Sequence, residues 1–245
     1  MFGGECRNLW GVPVEVLEER YRRWCEGVRG PSSIPRSIHQ IWLGPRPIPE
    51  RFLEFAARWR ALHHEWEYRL WRDADVEEFG LENARAFAAA HSHGGVYVDL
   101  DFEPLKSLDF LHEGVGCYAG FSNVDVVEIN NALIGAARGN VVVRECVRRL
   151  TPAPPLLGAV LASGFLDDTG ARALHQNAAA QTIDRTGPGF FTRVFCDTLA
   201  AAPDDALCLP PDVFYPAPNT ATADPAAFAT ADTIAVHHWA RSWCS

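Results

Sequence analysis

Apolar and polar positions follow two periods along this chain, one helical and one of strand type, in the order of an alternating α/β domain behind a helical preamble. Val14, Leu17, Tyr21 and Trp24 recur at helical spacing among charged residues and predict a helix over 14–28, ended by Gly30-Pro31-Ser32-Ser33. A strand over 37–42, a helix over 49–62 and a strand over 66–71 follow, then a short helix capped by Asp73 or Asp75. The Ala-rich run 81–91 predicts a helix leading into the short β-branched strand Val96-Tyr97-Val98. Strands over 116–121 and 132–135 and a helix over 141–150 complete the sheet side. Beyond Thr151-Pro152-Ala153-Pro154-Pro155 the pattern becomes loop-rich and helical, where substrate-binding variation normally sits. Residues 216–232 hold too much Ala, Thr and Pro to predict an element, and no internal repeat is evident.

Composition fits this outline. A chain of 245 residues, 48% of them hydrophobic, is long enough for one substantial core without splitting. The net charge of −9, with both signs interspersed, offers no polyanion-binding surface, so nucleic acid is disfavoured as a partner. Seven cysteines without a C-x-x-C pair favour reduced, buried thiols over a zinc site. No run approaches the roughly 20 apolar residues of a membrane span, and residues 1–30 lack the apolar core of a signal peptide. The expected location is cytoplasmic, the alternative being a shortened form of a secretory-pathway enzyme.

The chemistry concentrates in Gly94-Gly95-Val96-Tyr97-Val98-Asp99-Leu100-Asp101-Phe102-Glu103. The glycines allow a tight turn into the strand, and Asp99 and Asp101 then fall at its C-terminal edge, where open α/β sheets bind ligands. Two hard oxygen ligands suit Mn²⁺ or Mg²⁺. An Asp-x-Asp pair alone suits a solvated strand end equally well.

Its company narrows the reading. Ile34-Pro35-Arg36-Ser37-Ile38-His39-Gln40-Ile41-Trp42-Leu43-Gly44, the Asp-x-Asp segment with Pro104-Leu105-Lys106-Ser107-Leu108-Asp109, Asn130-Asn131-Ala132-Leu133-Ile134-Gly135-Ala136, Thr186-Gly187-Pro188-Gly189-Phe190-Phe191-Thr192-Arg193 and His237-His238-Trp239-Ala240-Arg241-Ser242-Trp243 occur in this order. Together they resemble the DXD-motif sugar transferases, similar to glycosyltransferase family 32, a group with yeast-type α-1,6-mannosyltransferases and α-1,4-galactosyl and N-acetylglucosaminyl transferases. The resemblance implies a GT-A type nucleotide-sugar-binding fold, a Rossmann-like mixed sheet flanked by helices, over 34–245, with 1–33 as an N-terminal helical extension. It implies a metal-dependent transfer of a hexose from a nucleotide-diphosphate donor, UDP-hexose first and GDP-mannose second, with retention of configuration. The acceptor, whether glycan, lipid, protein or small molecule, stays open.

The resemblance also assigns roles. Asp101 is the direct metal ligand, Asp99 shares metal and ribose contacts, and His237 is the third ligand for Mn²⁺ or Mg²⁺. Ser242 contacts a phosphate or water, and Trp42 either stacks on the donor base or is a core tryptophan. Of His39 and Gln40, one is expected inward as a structural residue and the other near the pocket. Asn130 and Asn131 are candidate substrate contacts, and Gly187 belongs to a turn that aims a helix N-terminus at the pocket or is purely structural. Glu103 and Lys106 either flank the site or mark a solvated strand exit.

One segment departs from the pattern. Where relatives carry Ser-Asp-x-x-Arg-Tyr, this chain has Glu82-Asn83-Ala84-Arg85-Ala86-Phe87. Aligned without a gap, Asn83 replaces the donor-binding Asp and Ala86 replaces the Arg. With a one-residue shift, Glu82 and Arg85 restore the acid and base on one helical face, and this alignment is favoured. Two other functions follow from these residues: a catalytically impaired nucleotide-sugar-binding protein of the same fold, or a phosphohydrolase of haloacid-dehalogenase type. The latter needs a Thr or Gly soon after the second Asp and a later Lys, and Phe102, Glu103 and the early Lys106 do not supply them.

Overall fold

The computed structural model describes residues 7–27, 30–75, 93–150, 186–199 and 206–240. The sequence-predicted helix over 81–91, with Glu82, Asn83 and Arg85, and the terminal Ser242 lie outside the described residues.

The main sheet runs β2 (Glu67–Trp71), β1 (Ser37–Ile41), β3 (Gly95–Val98), β6 (Ile129–Ala136), β5 (Cys117–Phe121) and β7 (Ala206–Leu209). Strand β1 is parallel to β2 and β3, and β5 is parallel to β7. Only β6 runs antiparallel to its neighbours. This is the mixed sheet flanked by helices that the family resemblance implies.

Alternation along the strands sends side chains to two cores. On one face, Cys117, Ala119 and Phe121 of β5 and Ala206 and Cys208 of β7 meet α1 (Val14–Glu26), α3 (Val141–Arg149) and α4 (Pro188–Leu199) through Leu17, Val143, Cys146, Phe191 and Phe195. On the other, Tyr118, Leu207 and Leu209 join Val96, Val98, Trp59, Phe102, Phe214 and Tyr215. The preamble helix α1 thus contributes a fully buried Leu17 to the first core. Asn140 caps α3 by accepting from the Val142 amide at 2.9 Å, a contact worth about 1 kcal/mol.

Two glycines are dictated by close approach. Gly95 has φ +93°, and a Cβ there would lie 2.1 Å from Ser37 Oγ and 2.6 Å from the Ser37 carbonyl oxygen. Gly135 faces the Tyr118 ring, where a Cβ would sit 2.2 Å from Cζ. The double glycine therefore serves the turn that the sequence implied, and it also lets β3 approach β1.

A second, two-stranded sheet positions the site. Strand β4 (Phe102–Pro104) pairs antiparallel with β8 (Ala235–His237), setting Phe102 opposite His237. Helix α2 (Glu50–Leu62) lies against β4, its buried Trp59 indole N–H donating to the Phe102 carbonyl at 3.1 Å. Among the described residues, no helix is long and apolar enough to cross a membrane.

Candidate functional site

The chain leaves the main sheet at Asp99, whose amide makes a ladder-like bond to the Ala132 carbonyl at 2.8 Å, and enters the small sheet at Phe102. Between them Leu100 is buried against Phe52 and Phe55, which pins the turn. With Leu100 turned into that cluster, Asp99 and Asp101 stand together, and the β4–β8 pairing brings His237 to them. One ligand atom from each of Asp99, Asp101 and His237 lies within 4.8 Å of the others. Asp101 and His237 are 8% and 7% exposed and Asp99 is half-buried, so the group stands at a largely buried edge of the sheet.

His237 Nε2 lies 3.3 Å from Asp101 Oδ1, and the Ala240 amide donates to Asp101 Oδ2 at 2.9 Å. The His238 amide donates to the Asp101 carbonyl at 3.0 Å. The Tyr97 hydroxyl donates to Asp99 Oδ1. Gln40 Nε2 donates to the Asp99 carbonyl at 3.3 Å, while its Oε1 accepts from the Tyr68 hydroxyl at 2.6 Å. Trp239 holds a left-handed φ of 52°, rare for a bulky residue, and is fixed there by its indole bond to the Ala217 carbonyl and its packing on His237. That conformation precedes the Ala240 amide that faces Asp101.

Electrostatics of the group follow from burial and proximity. Burial and the neighbouring Asp101 charge push Asp99 up to about 7, against His237 and the Tyr97 hydroxyl. Burial also opposes ionisation of Asp101, but the charge and hydrogen bond of His237 and the Ala240 amide outweigh it and hold Asp101 below the usual carboxylate range. His237 is likewise penalised by burial and raised overall by Asp101. The two neighbouring acids repel each other, and His237 Nδ1 is buried with no hydrogen-bond partner among the described residues. The carboxylate oxygens and the imidazole nitrogen are the donor types that a divalent cation takes, and such a cation would replace the proton that His237 and Asp99 hold in its absence.

Of the remaining expected site residues, Trp42 packs partly buried against the same cluster as Leu100, with its indole N–H donating to the Arg46 carbonyl at 2.7 Å. Asn131 Nδ2 donates to the Thr186 carbonyl at 3.0 Å, which joins β6 to the Gly187 turn before α4. Asn130 is buried with both ends of its amide used internally, on the Ala132 amide and Ser122 Oγ. His39 is the structural member of its pair: Nδ1 accepts from the Trp71 indole at 3.2 Å, leaving Nε2 protonated to donate to the Gly94 carbonyl at 3.0 Å. Gln40 is the member near the carboxylates.

Glu103 is anchored rather than solvated, bonded to Arg58 and to His238 Nε2 at 3.1 Å. Lys106 Nζ donates to the Ala231 carbonyl. Tyr97, Tyr215 and Glu128 were not singled out from sequence. Tyr97 was within reach, since position i−2 shares Asp99's face of a strand, whereas nothing in the pattern marks the other two.

No protein-family model matches the chain. Inositol phosphoceramide mannosyltransferase 3 of Schizosaccharomyces pombe is 28% identical over 139 residues, covering 49% of this chain and 38% of that protein. Inositol phosphoceramide mannosyltransferase 1 of the same organism is 33% identical over 99 residues, covering 31% and 30%. The matches thus span only about a third of the length of these relatives. Similarity to mannosyltransferases is what the motif resemblance implied. Among solved structures, the PaToxG glycosyltransferase superposes with a TM-score of 0.48 at 11% identity, covering 78% of this chain and 77% of that one. The UDP-bound glycosyltransferase domain of the YGT toxin superposes with a TM-score of 0.46 at 11% identity, covering 71% and 79%.

Proposed function

We propose, from the sequence similarity to mannosyltransferases and the convergence of Asp99, Asp101 and His237, that this chain is a metal-dependent hexosyltransferase of GT-A type. Its catalytic unit is residues 34–245, with 1–33 an extension packed on it, and its donor is a nucleoside-diphosphate hexose. The carrying observation is the three-residue cluster at the carboxyl edge of β3, because sugar transfer requires charge on a leaving diphosphate to be met in a water-poor site. Asp99, Asp101 and His237 would hold Mn²⁺ or Mg²⁺, which supplies Lewis-acid stabilisation of that diphosphate.

The chain's own groups prepare this site. The Ala240 amide and His238 backbone fix Asp101, the Tyr97 hydroxyl orients Asp99, and Gln40 holds the turn between them from below. Trp42 is the proposed stacking partner of the base, Asn131 and the Gly187 turn are proposed substrate contacts, and Ser242 is a proposed contact for phosphate or water. Glu82, Asn83 and Arg85 are proposed donor contacts from the sequence resemblance. Transfer is proposed to retain anomeric configuration.

UDP-hexose and GDP-mannose are both proposed donors, and the relatives named mannosyltransferases bring mannose forward. Their names also make an inositol-bearing phospholipid the first acceptor to test. Incubation with Mn²⁺ and a panel of UDP- and GDP-sugars tests the reading. Slow release of free hexose from one donor, abolished by chelator, is expected. Phosphate release from simple monoesters with no sugar-nucleotide turnover would overturn it.

A further inference from the structure

A second polar group stands beside the carboxylate pair without a role in the scheme above. Tyr215 is wholly buried, its ring 5.6 Å from Phe102, 5.6 Å from His237 and 5.8 Å from Trp239. Its other side rests on Gly120, where a Cβ would lie 3.1 Å from the ring, and Gly120 is paired with Asn130 across β5 and β6. Among the described residues the hydroxyl makes no hydrogen bond of good geometry, although the Leu133 amide is close enough to favour its ionised form. A buried hydroxyl without such a bond loses about tenfold or more in folding equilibrium relative to a satisfied one, so its retention in the core calls for a partner.

Glu128 lies on the face of the β5–β6 hairpin that Tyr215 covers: the Ser122 amide donates to the Glu128 carbonyl at 3.0 Å, which sets this pair two positions beyond Gly120–Asn130 and on the same side. Asp99, Glu128 and Asp101 all act electrostatically on the Tyr215 hydroxyl. The loop carrying Glu128 is tied to the Tyr215 segment, since Asn123 Nδ2 donates to the Pro216 carbonyl at 3.0 Å and the Asn219 amide donates to the Asn123 carbonyl at 3.2 Å.

A chain of hydrogen bonds also fixes Glu128 relative to Asp99. The Asp99 amide donates to the Ala132 carbonyl, the Ala132 amide to Asn130 Oδ1, Asn130 Nδ2 to Ser122 Oγ at 2.9 Å, and Ser122 Oγ to Glu128 Oε1 at 2.8 Å. Ser122 engages Oε1 only, and the half-buried carboxyl keeps its second oxygen outside this chain of bonds. Burial pushes Glu128 up to about 7, with Ser122 drawing it back, so near neutrality it can both give and accept a hydrogen bond. A positioned carboxyl and a buried phenol without a well-formed bond are the donor and acceptor types that read vicinal hydroxyls.

We propose that Tyr215 and Glu128 form a subsite for sugar hydroxyls next to the Asp99–Asp101 pair. The inference rests on the sugar-transferase reading and deepens it by naming two substrate-contacting residues. The hydroxyls belong either to the donor hexose or to the acceptor, and the test separates these sources.

Dissociation constants of UDP-glucose and GDP-mannose, each compared with UDP or GDP alone in Mn²⁺, are measured for the wild type, Tyr215→Phe and Glu128→Ala, with thermal midpoints. Transfer of labelled hexose to myo-inositol and methyl mannoside is compared with release to water. Glu128→Gln, which can keep the Ser122 bond, controls for folding and is expected to fall between wild type and Glu128→Ala.

If the subsite holds donor hexose, the sugar-dependent gain over the bare nucleotide drops about tenfold in Glu128→Ala and about threefold to tenfold in Tyr215→Phe. Bare-nucleotide affinity stays unchanged. If it holds acceptor, donor affinities stay unchanged and the transfer-to-hydrolysis ratio drops by a similar factor. In either case Tyr215→Phe melts no lower than wild type, because the removed hydroxyl has no well-formed bond in the protein. Unmoved ratios in both variants, equal losses for bare nucleotide and sugar nucleotide, or a lowered Tyr215→Phe midpoint overturn the subsite. A wild type that binds none of the four nucleotides overturns the transferase reading, and the subsite with it.

Discussion

His237 Nε2 lies 3.3 Å from Asp101 Oδ1, although 136 residues separate the two along the chain. Strand β8 brings them together by pairing with β4. Neither strand exceeds three residues, so their alignment cannot rest on the ladder alone. It rests on side chains of the neighbouring residues: His238 Nε2 on Glu103 at 3.1 Å, Glu103 on Arg58 of α2, and the His238 ring over Phe55 at 4.9 Å.

Glu103→Gln is therefore expected to loosen the tail without touching the carboxylates. Arg58 is largely exposed, which limits its share, and the buried His238 contact dominates. The expected loss is about 1–2 kcal/mol in urea unfolding. Affinity for Mn²⁺ should weaken in parallel, and a variant with unchanged stability and metal affinity would show that Glu103 does not hold the tail.

Gly95→Ala tests the register of β3. At φ +93°, with the new Cβ 2.1 Å from Ser37 Oγ and 2.6 Å from backbone, neither strand can yield cheaply. A loss of about 3 kcal/mol or more is expected in thermal or denaturant unfolding. Gly139, also at positive φ but with open space around it, should lose less on the same change.

Burial lowers His39 to about 4, against its bond to Gly94, with His93 and Arg69 adding to the depression. In the unfolded chain a histidine titrates near 6.5, so between pH 6.5 and 4 the unfolded state binds the extra proton. The contribution of His39 to stability is thus full above pH 6.5 and falls as pH drops to about 4, by on the order of 3 kcal/mol. Imidazole ¹⁵N shifts should show a neutral Nε2–H tautomer at pH 5.5. A charged ring at that pH would contradict the geometry at Trp71 and Gly94.

The parts of this arrangement that were legible in the sequence are those written in local pattern. Val96, Tyr97 and Val98 alternate and follow two glycines, so β3 and the carboxylate pair at its edge could be read directly. Strand β6 was read as 132–135 but runs Ile129–Ala136. Asn130 and Asn131 break its apolar run, and only tertiary partners, Ser122 and Thr186, satisfy their amides within a sheet. Strands β4 and β8 exist because each covers the other, a relationship that spans most of the chain and leaves no local signal. Glu103 reads as a solvated residue at a strand exit until His238 is placed beside it. Tyr215 and Glu128 sit on segments, 215–219 and 122–128, that hydrogen bonds tie together and no motif joins.

Asp99, Asp101 and His237 are proposed to act together on a divalent cation bound to a nucleoside diphosphate. Mn²⁺ binding followed by electron paramagnetic resonance, with and without UDP or GDP, tests it most directly in the wild type, Asp101→Asn and His237→Ala. A single Mn²⁺ site tightened by one of the nucleotides is expected, with affinity weakened about tenfold to a hundredfold in each variant while the fold persists. Equal Mn²⁺ affinity in all three proteins, or binding indifferent to both nucleotides, would contradict it.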